Sequence, residues 1–206
     1  MKASLALVCL LSWFLPGTAS AHRLDEYLQA TILSIGPQTI NGSLRLVPGT
    51  AVSVQIIAGI DRNGDGVLSN DEQKRYAQRV LDDLSLSVDG RKLILNLTTT
   101  DYPTIADMRQ GIGEIAIAFS ADLEAGAAHR VLTLQNLHRR DLSVYLVNAL
   151  VPRDPAIVLG AQMRNENQSY YRVEFSYGAN GSHAPARSKL NGFGSAGGGP
   201  RRSRRR

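Results

Sequence analysis

Between Asp61 and Glu72 the chain reads Asp-Arg-Asn-Gly-Asp-Gly-Val-Leu-Ser-Asn-Asp-Glu. Oxygen-bearing side chains stand at alternate residues, Asp61, Asn63 and Asp65, and return at Ser69 and Glu72. A run of this kind brings several hard oxygen donors around one point, and the matching chemistry is capture of a hard divalent cation. Calcium takes about six to eight oxygens at roughly 2.4 Å, often as a pentagonal bipyramid. The segment satisfies the calcium-loop pattern D-x-[DN]-x-[DN]-G-x5-E at every specified place. Asp61, Asn63 and Asp65 would offer side-chain oxygens, and Val67 its backbone carbonyl. Ser69 would act through a water, and Glu72 would clamp with both oxygens. Gly66 permits the sharp turn that folds the loop back. Leu68, at the eighth position, is no ligand; in EF-hands this apolar residue points inward and bridges to a paired loop.

The plainer alternative is a polar surface turn before an ordinary helix. The flanking patterns argue against it. Thr50 reads as the N-cap of a short apolar helix, Val52 to Ile60. Beyond the loop, Asn70 to Leu84 places Tyr76, Ala77, Val80, Leu81 and Leu84 on one face at helical spacing. Gln73, Lys74, Arg75, Gln78, Arg79 and Asp82 lie on the other. The helix–loop–helix over residues 52–84 is thus expected as an EF-hand insertion. There is one such loop and no second to pair with it. Its affinity is expected in the range of extracellular modules, about 10⁻⁴–10⁻³ M, with calcium in a structural role.

The elements that must position this insertion read as β-strands. Tyr27 to Ile35 and Thr39 to Leu46 flank Gly36-Pro37 as a hairpin. Leu84 to Val88 and Arg91 to Leu97 flank Asp89-Gly90, a two-residue hairpin signal. Glu114 to Ser120, Arg130 to Leu134, Leu142 to Leu150 and Tyr170 to Tyr177 continue the alternation. The expected fold is mainly β, an antiparallel β-sandwich-like domain over residues 22–177 with the helical insertion between early strands.

Both ends differ from this body. Met1-Lys2, the apolar run Ala3 to Leu15, the break at Pro16-Gly17 and the small residues Ala19-Ser20-Ala21 form a secretory signal peptide, residues 1–21, cleaved after Ala21. The apolar run is too short to span about 30 Å of hydrocarbon as a helix. A secreted or periplasmic location follows. The single cysteine, Cys9, falls in the signal, so disulfides, thiolate metal sites and Cys nucleophiles are not expected in the mature chain. Residues 178–206 are rich in Gly, Ser and Arg, with almost nothing apolar to bury, and read as a disordered basic tail. That tail is either simply solvated or the out-of-frame end of a longer protein. The net charge of +5 misleads: eight of the 23 basic residues are Lys2 and those of the tail, whereas all 18 acidic residues lie between residues 22 and 177. Weak attraction of the tail to anionic surfaces is expected, and no specific nucleic-acid partner.

A second metal reading concerns the new N-terminus. Cleavage after Ala21 leaves His22 first, whose amine and imidazole form a two-nitrogen site suited to copper(II) or nickel(II). His129 and His138 are candidates to complete it, although no fixed spacing links them to His22. The alternative to calcium is therefore a periplasmic transition-metal accessory domain. An enzyme is not expected. Neither G-x-S-x-G nor H-E-x-x-H occurs. The glycine patterns at Gly111 and Gly192 lack a βαβ unit around them. N-x-[ST] triplets begin at Asn41, Asn96, Asn167 and Asn180 and matter only in a glycosylating host.

Three segments carry a resemblance: His22-Arg-Leu-Asp-Glu-Tyr-Leu-Gln-Ala30, Leu142-Ser-Val-Tyr-Leu-Val-Asn-Ala-Leu-Val-Pro152 and Asn165-Glu-Asn-Gln-Ser-Tyr-Tyr-Arg172. Together with the D-x-N-G-D-G loop, they resemble the soluble N-terminal region of uncharacterised bacterial proteins that continue into a HupE/UreJ-like membrane domain. That membrane domain is associated with nickel or cobalt uptake. No membrane-spanning run follows residue 21, so transport does not carry over. The resemblance implies at most a periplasmic module beside a membrane-protein partner.

Overall fold

Strict alternation of apolar and polar residues from Tyr27 onward demands a strand with one buried face, and the structure provides it. A computed structural model describes residues 25–178. The expected signal peptide (residues 1–21), His22 and the expected tail beyond Gly178 lie outside the described residues.

Strands β1 (Tyr27–Ile35) and β2 (Thr39–Pro48) pair antiparallel from Tyr27↔Pro48 to Ile35↔Ile40, closed by the Gly36 N–H on the Thr39 carbonyl at 2.9 Å. Helix α1 (Thr50–Ile60) follows, then α2 (Asn70–Asp82). Gly49, not Thr50, is the N-cap of α1, so the helix starts earlier than its apolar pattern suggests. Strands β3 (Leu84–Val88) and β4 (Arg91–Lys92) form the hairpin expected at Asp89-Gly90. Both turn residues are left-handed, φ 52° and 79°, as a two-residue loop of this twist requires.

The single strand expected from Arg91 to Leu97 is instead divided. β4 belongs to one sheet and β5 (Asn96–Asp101) to the other, and Leu93 to Leu95 carry the chain across. Leu93, Leu95 and Leu97 all pack on the core, while Ile94 is 81% exposed. Leucine alternation therefore survives a change of sheet, which is why it reads as one strand. A short helix α3 (Ile105–Arg109), capped by Thr104, precedes β6 (Ile115–Asp122), β7 (His129–Asn136), β8 (Ser143–Ala149), β9 (Ile157–Arg164) and β10 (Tyr170–Tyr177).

The strands form two five-stranded sheets, β5-β6-β2-β1-β8 and β4-β3-β7-β10-β9. The fold is mainly β, as expected, and antiparallel except where β8 runs parallel to β1, from Tyr27↔Ser143 to Leu33↔Ala149. The connection after β7 crosses from the second sheet to the first, and a crossover of that kind permits a parallel neighbour. Both sheets line one core. Leu33, Leu44, Ile117 and Phe119 come from one, and Leu86, Leu132, Val173 and Phe175 from the other. The helices add Ile56, Ile60, Ala77 and Val80. Among the described residues no helix is long and apolar enough to cross a membrane.

Gly42 sits directly opposite Phe119 in the β2–β6 register, and a Cβ there would collide with the Phe119 ring. Overpacking a closed core costs about 1–3 kcal/mol. Gly42→Ala should therefore lower the unfolding free energy by that much in a urea equilibrium experiment, and an unchanged unfolding free energy would show that the ring moves freely.

Candidate metal centre

The loop hangs between two helix ends, and each end sets one of its outer candidate residues. Asp61 is the C-cap of α1, with its N–H on the Ile57 carbonyl at 2.8 Å. Ser69 is the N-cap of α2 and closes a reciprocal capping box with Glu72. The Glu72 N–H reaches Ser69 Oγ at 3.4 Å, and Glu72 Oε2 accepts from the Ser69 N–H at 3.1 Å and from its hydroxyl at 2.7 Å.

Between these ends the side-chain oxygens fold the loop on itself. Asp61 Oδ1 accepts from the Gly64 N–H at 2.8 Å, and its Oδ2 from the Gly66 N–H at 3.0 Å. Asn63 Oδ1 takes the Asp65 N–H at 3.1 Å, and Asp65 Oδ1 takes the Val67 N–H at 2.8 Å. Glu72 Oε1 reaches back across the loop to the Arg62 N–H at 3.0 Å. Two glycines turn left-handed, Gly64 at φ 72° and Gly66 at φ 78°. The sequence pattern specifies only Gly66; Gly64 meets the same need for positive φ.

All six sequence-predicted positions thus share one continuous, internally hydrogen-bonded loop. Among the described residues, however, no three His, Cys, Asp or Glu side chains converge into a group that could hold a metal ion. The carboxylates are directed to the loop's own N–H groups. Three of the six proposed donors, Asn63, Val67 and Ser69, are of other types. An ionised carboxylate has about four acceptor sites, so one N–H on each Asp61 oxygen leaves capacity for a cation.

Charge favours such a guest. The segment Asp61–Glu72 has four carboxylates, those of Asp61, Asp65, Asp71 and Glu72, against one guanidinium, that of Arg62. Glu72 is only 6% exposed. The Ser69 hydroxyl, helped by the N–H groups of Arg62 and Ser69, nevertheless holds its carboxyl below the ordinary value.

At the far end of α2 lies a group of residues that sequence patterns do not link. His138, 2% exposed, follows β7 and meets the helix at two points. Its Nδ1 lies 2.7 Å from Asp83 Oδ2, and its Nε2 lies 3.2 Å from the Tyr76 hydroxyl, which is itself 3.0 Å from the Tyr27 hydroxyl. A neutral imidazole with the proton on Nδ1 satisfies the whole chain: Tyr27 donates to Tyr76, Tyr76 to His138, and His138 to Asp83. The His138 carbonyl accepts from Gln29, Ser143 and Tyr145 at 2.9, 3.1 and 2.8 Å. Burial pushes the Tyr76 phenol up to about 12 and the Tyr27 phenol well above its usual range. Burial also lowers the His138 imidazole, against an opposing pull from Asp83.

These contacts bear on the candidate histidines. Both ring nitrogens of His138 are engaged, one by Tyr76 and one by Asp83. His129 is exposed at the opposite end of β7. Nothing therefore brings His129 and His138 together. Comparison with family models, curated proteins and solved structures returns no match.

Because His138 titrates lower in the fold than in the unfolded chain, the unfolded state binds its proton first as pH falls. Its stabilisation is complete above the ordinary value of 6.5 and declines below it. The contribution of Glu72, also lowered, is lost in a separate window beneath 4.5. Histidine NMR should place the His138 midpoint below 6.5, accompanied by a decline in melting temperature from pH 7.5 to 5.5. A midpoint above that value would show that the Asp83 pairing outweighs burial.

Proposed function

We propose that this chain is an extracytoplasmic calcium-binding protein of the EF-hand type, in which a structural calcium ion fixes the α1–α2 unit on a β domain that serves as a binding or interaction module. One observation carries the reading. A loop matching the calcium pattern at every specified position closes between two helices, and its final carboxylate is buried in the first turn of the second. The ligands are Asp61, Asn63, Asp65, the Val67 carbonyl, Ser69 and Glu72. The ion would replace the N–H groups as the partner that neutralises the loop's excess negative charge. Nothing in the chain's own constellation calls for an enzyme.

The signal sequence supports export with cleavage after Ala21, into a compartment where calcium is plentiful. The resemblance to regions that precede HupE/UreJ-like membrane domains supports a periplasmic module beside a membrane partner. The transition-metal alternative rests on His22, with the exposed His129 as its other candidate and His138 hydrogen-bonded to Tyr76 and Asp83.

A ligand that binds only the native state stabilises it by RT ln(1 + [L]/Kd). At about 10 mM calcium and a Kd of about 0.3 mM this is roughly 2 kcal/mol. Melting of the mature domain should rise accordingly between chelator and calcium, and identical melting temperatures would rule out a native site of that strength.

Glu72→Gln should weaken binding more than Asn63→Ala. The first substitution removes a full charge and a bidentate clamp, although glutamine still fits the capping box. The second removes one neutral oxygen. Calorimetric titration of both variants decides the matter, and equal losses would mean that the loop does not coordinate in EF-hand geometry.

A further inference from the structure

Position eight of a calcium loop ordinarily bridges to a second loop, and this sequence has no second loop. The structure shows what occupies that position instead. Leu68 is half-buried and packs on the core. Its carbonyl accepts from the side-chain amide of Gln73 at 2.8 Å. Gln73 lies in the first turn of α2, with its own N–H on the Ser69 carbonyl at 3.0 Å. Its carbonyl accepts in turn from the Tyr102 hydroxyl at 2.8 Å. Tyr102 directly follows β5, which pairs with β6 in the first sheet. The Tyr102 ring meets the Tyr76 ring edge-on, with centroids 6.5 Å apart. A continuous path therefore runs from the eighth loop position through Gln73 and Tyr102 to the body of the domain.

We propose that Gln73 and Tyr102 are positioning residues for the calcium site, forming an internal latch that takes the place of a paired hand and lets a single loop work in a monomer. This rests on the calcium reading above. The mechanical argument is local. Val67 and Ser69, on either side of Leu68, are two of the proposed donors, and Glu72 immediately precedes Gln73. Fixing the Leu68 carbonyl and the Gln73 carbonyl therefore fixes the second half of the loop from both sides of its ligands. In the free protein the loop's own N–H bonds hold its first half, at Asp61, Asn63 and Asp65. Without the latch the second half would be held by the Ser69–Glu72 capping box and the Glu72–Arg62 contact alone, and Val67 and Leu68 would have more freedom to lose on binding, at the expense of affinity. The Leu68 carbonyl that edge-to-edge pairing of two copies would use already accepts one hydrogen bond within the chain.

The test uses the full mature chain with two substitutions that spare the packing. Gln73→Met keeps chain length and removes the amide. Tyr102→Phe keeps the ring against Tyr76 and removes the hydroxyl. Calcium affinity by calorimetry, calcium release by stopped-flow with chelator, and mass by sedimentation are measured on the parent and both variants. The parent should bind one calcium as a monomer. Each variant should bind about three- to tenfold more weakly, as expected for loss of one hydrogen bond, and release calcium faster, with a smaller change in chelator melting temperature than in calcium. Unchanged affinity in both variants, or a calcium-loaded parent that dimerises, would overturn the latch while leaving the calcium site standing. A parent that binds no calcium would overturn both.

Discussion

The hydrogen-bonded chain Tyr27–Tyr76–His138–Asp83 is the joint on which the arrangement depends. It ties three separate parts of the sequence at one buried point: the first strand, the second helix and the connection between β7 and β8. The same connection carries the chain from one sheet to the other and delivers β8 alongside β1, with the Tyr27 N–H on the Leu142 carbonyl at 2.8 Å. Four buried or half-buried polar side chains are tolerable here because each donor has an acceptor. Loss of one partner would leave a buried group unsatisfied at a cost of about 1–3 kcal/mol. A protonated imidazole would reverse the direction of the chain and leave the Tyr27 hydroxyl proton without an acceptor. The joint therefore favours neutral His138 for reasons of connectivity as well as burial.

Helix α2 transmits that anchoring to the loop. Tyr76 lies one turn beyond Glu72, so the helix face that docks on His138 also buries the carboxylate that ends the loop. Val80, Ala77 and Leu81 complete the same face. The opposite end of the loop is held by α1, whose Ile56, Ile57 and Ile60 reach the core. A flexible segment is thereby pinned at both ends by well-packed helices. Its short polar side chains then have the N–H groups between those ends to fold upon.

Much of this was legible in the sequence where a local pattern has one physical outcome. Alternation across Gly36-Pro37 gave the first hairpin, Asp89-Gly90 gave the second, and the helical spacing of Tyr76, Ala77, Val80 and Leu81 gave α2, with its start at Asn70. The misses share a cause. Leu93, Leu95 and Leu97 alternate as a strand would, yet the chain changes sheets within them, because alternation records burial and not partnership. Strand β9 escaped notice because, as an edge strand, it buries only Ile157 and offers no clear alternation. The parallel setting of β8 was hidden for the same reason that its presence was visible: side-chain period carries no direction. At the site, the candidate ligand positions come from spacing alone, whereas the contacts of Tyr102 to Gln73 and of His138 to Tyr76 join residues 29 and 62 apart in sequence, which no local pattern encodes.

The central claim is that the loop from Asp61 to Glu72 holds calcium in the native protein. Equilibrium dialysis with metal analysis, on mature protein bearing an authentic His22 terminus, tests it most directly. The account predicts one calcium per chain, lost in the Glu72→Gln variant, and no stoichiometric copper or nickel. Absence of calcium at millimolar supply, or stoichiometric copper or nickel in its place, would contradict it.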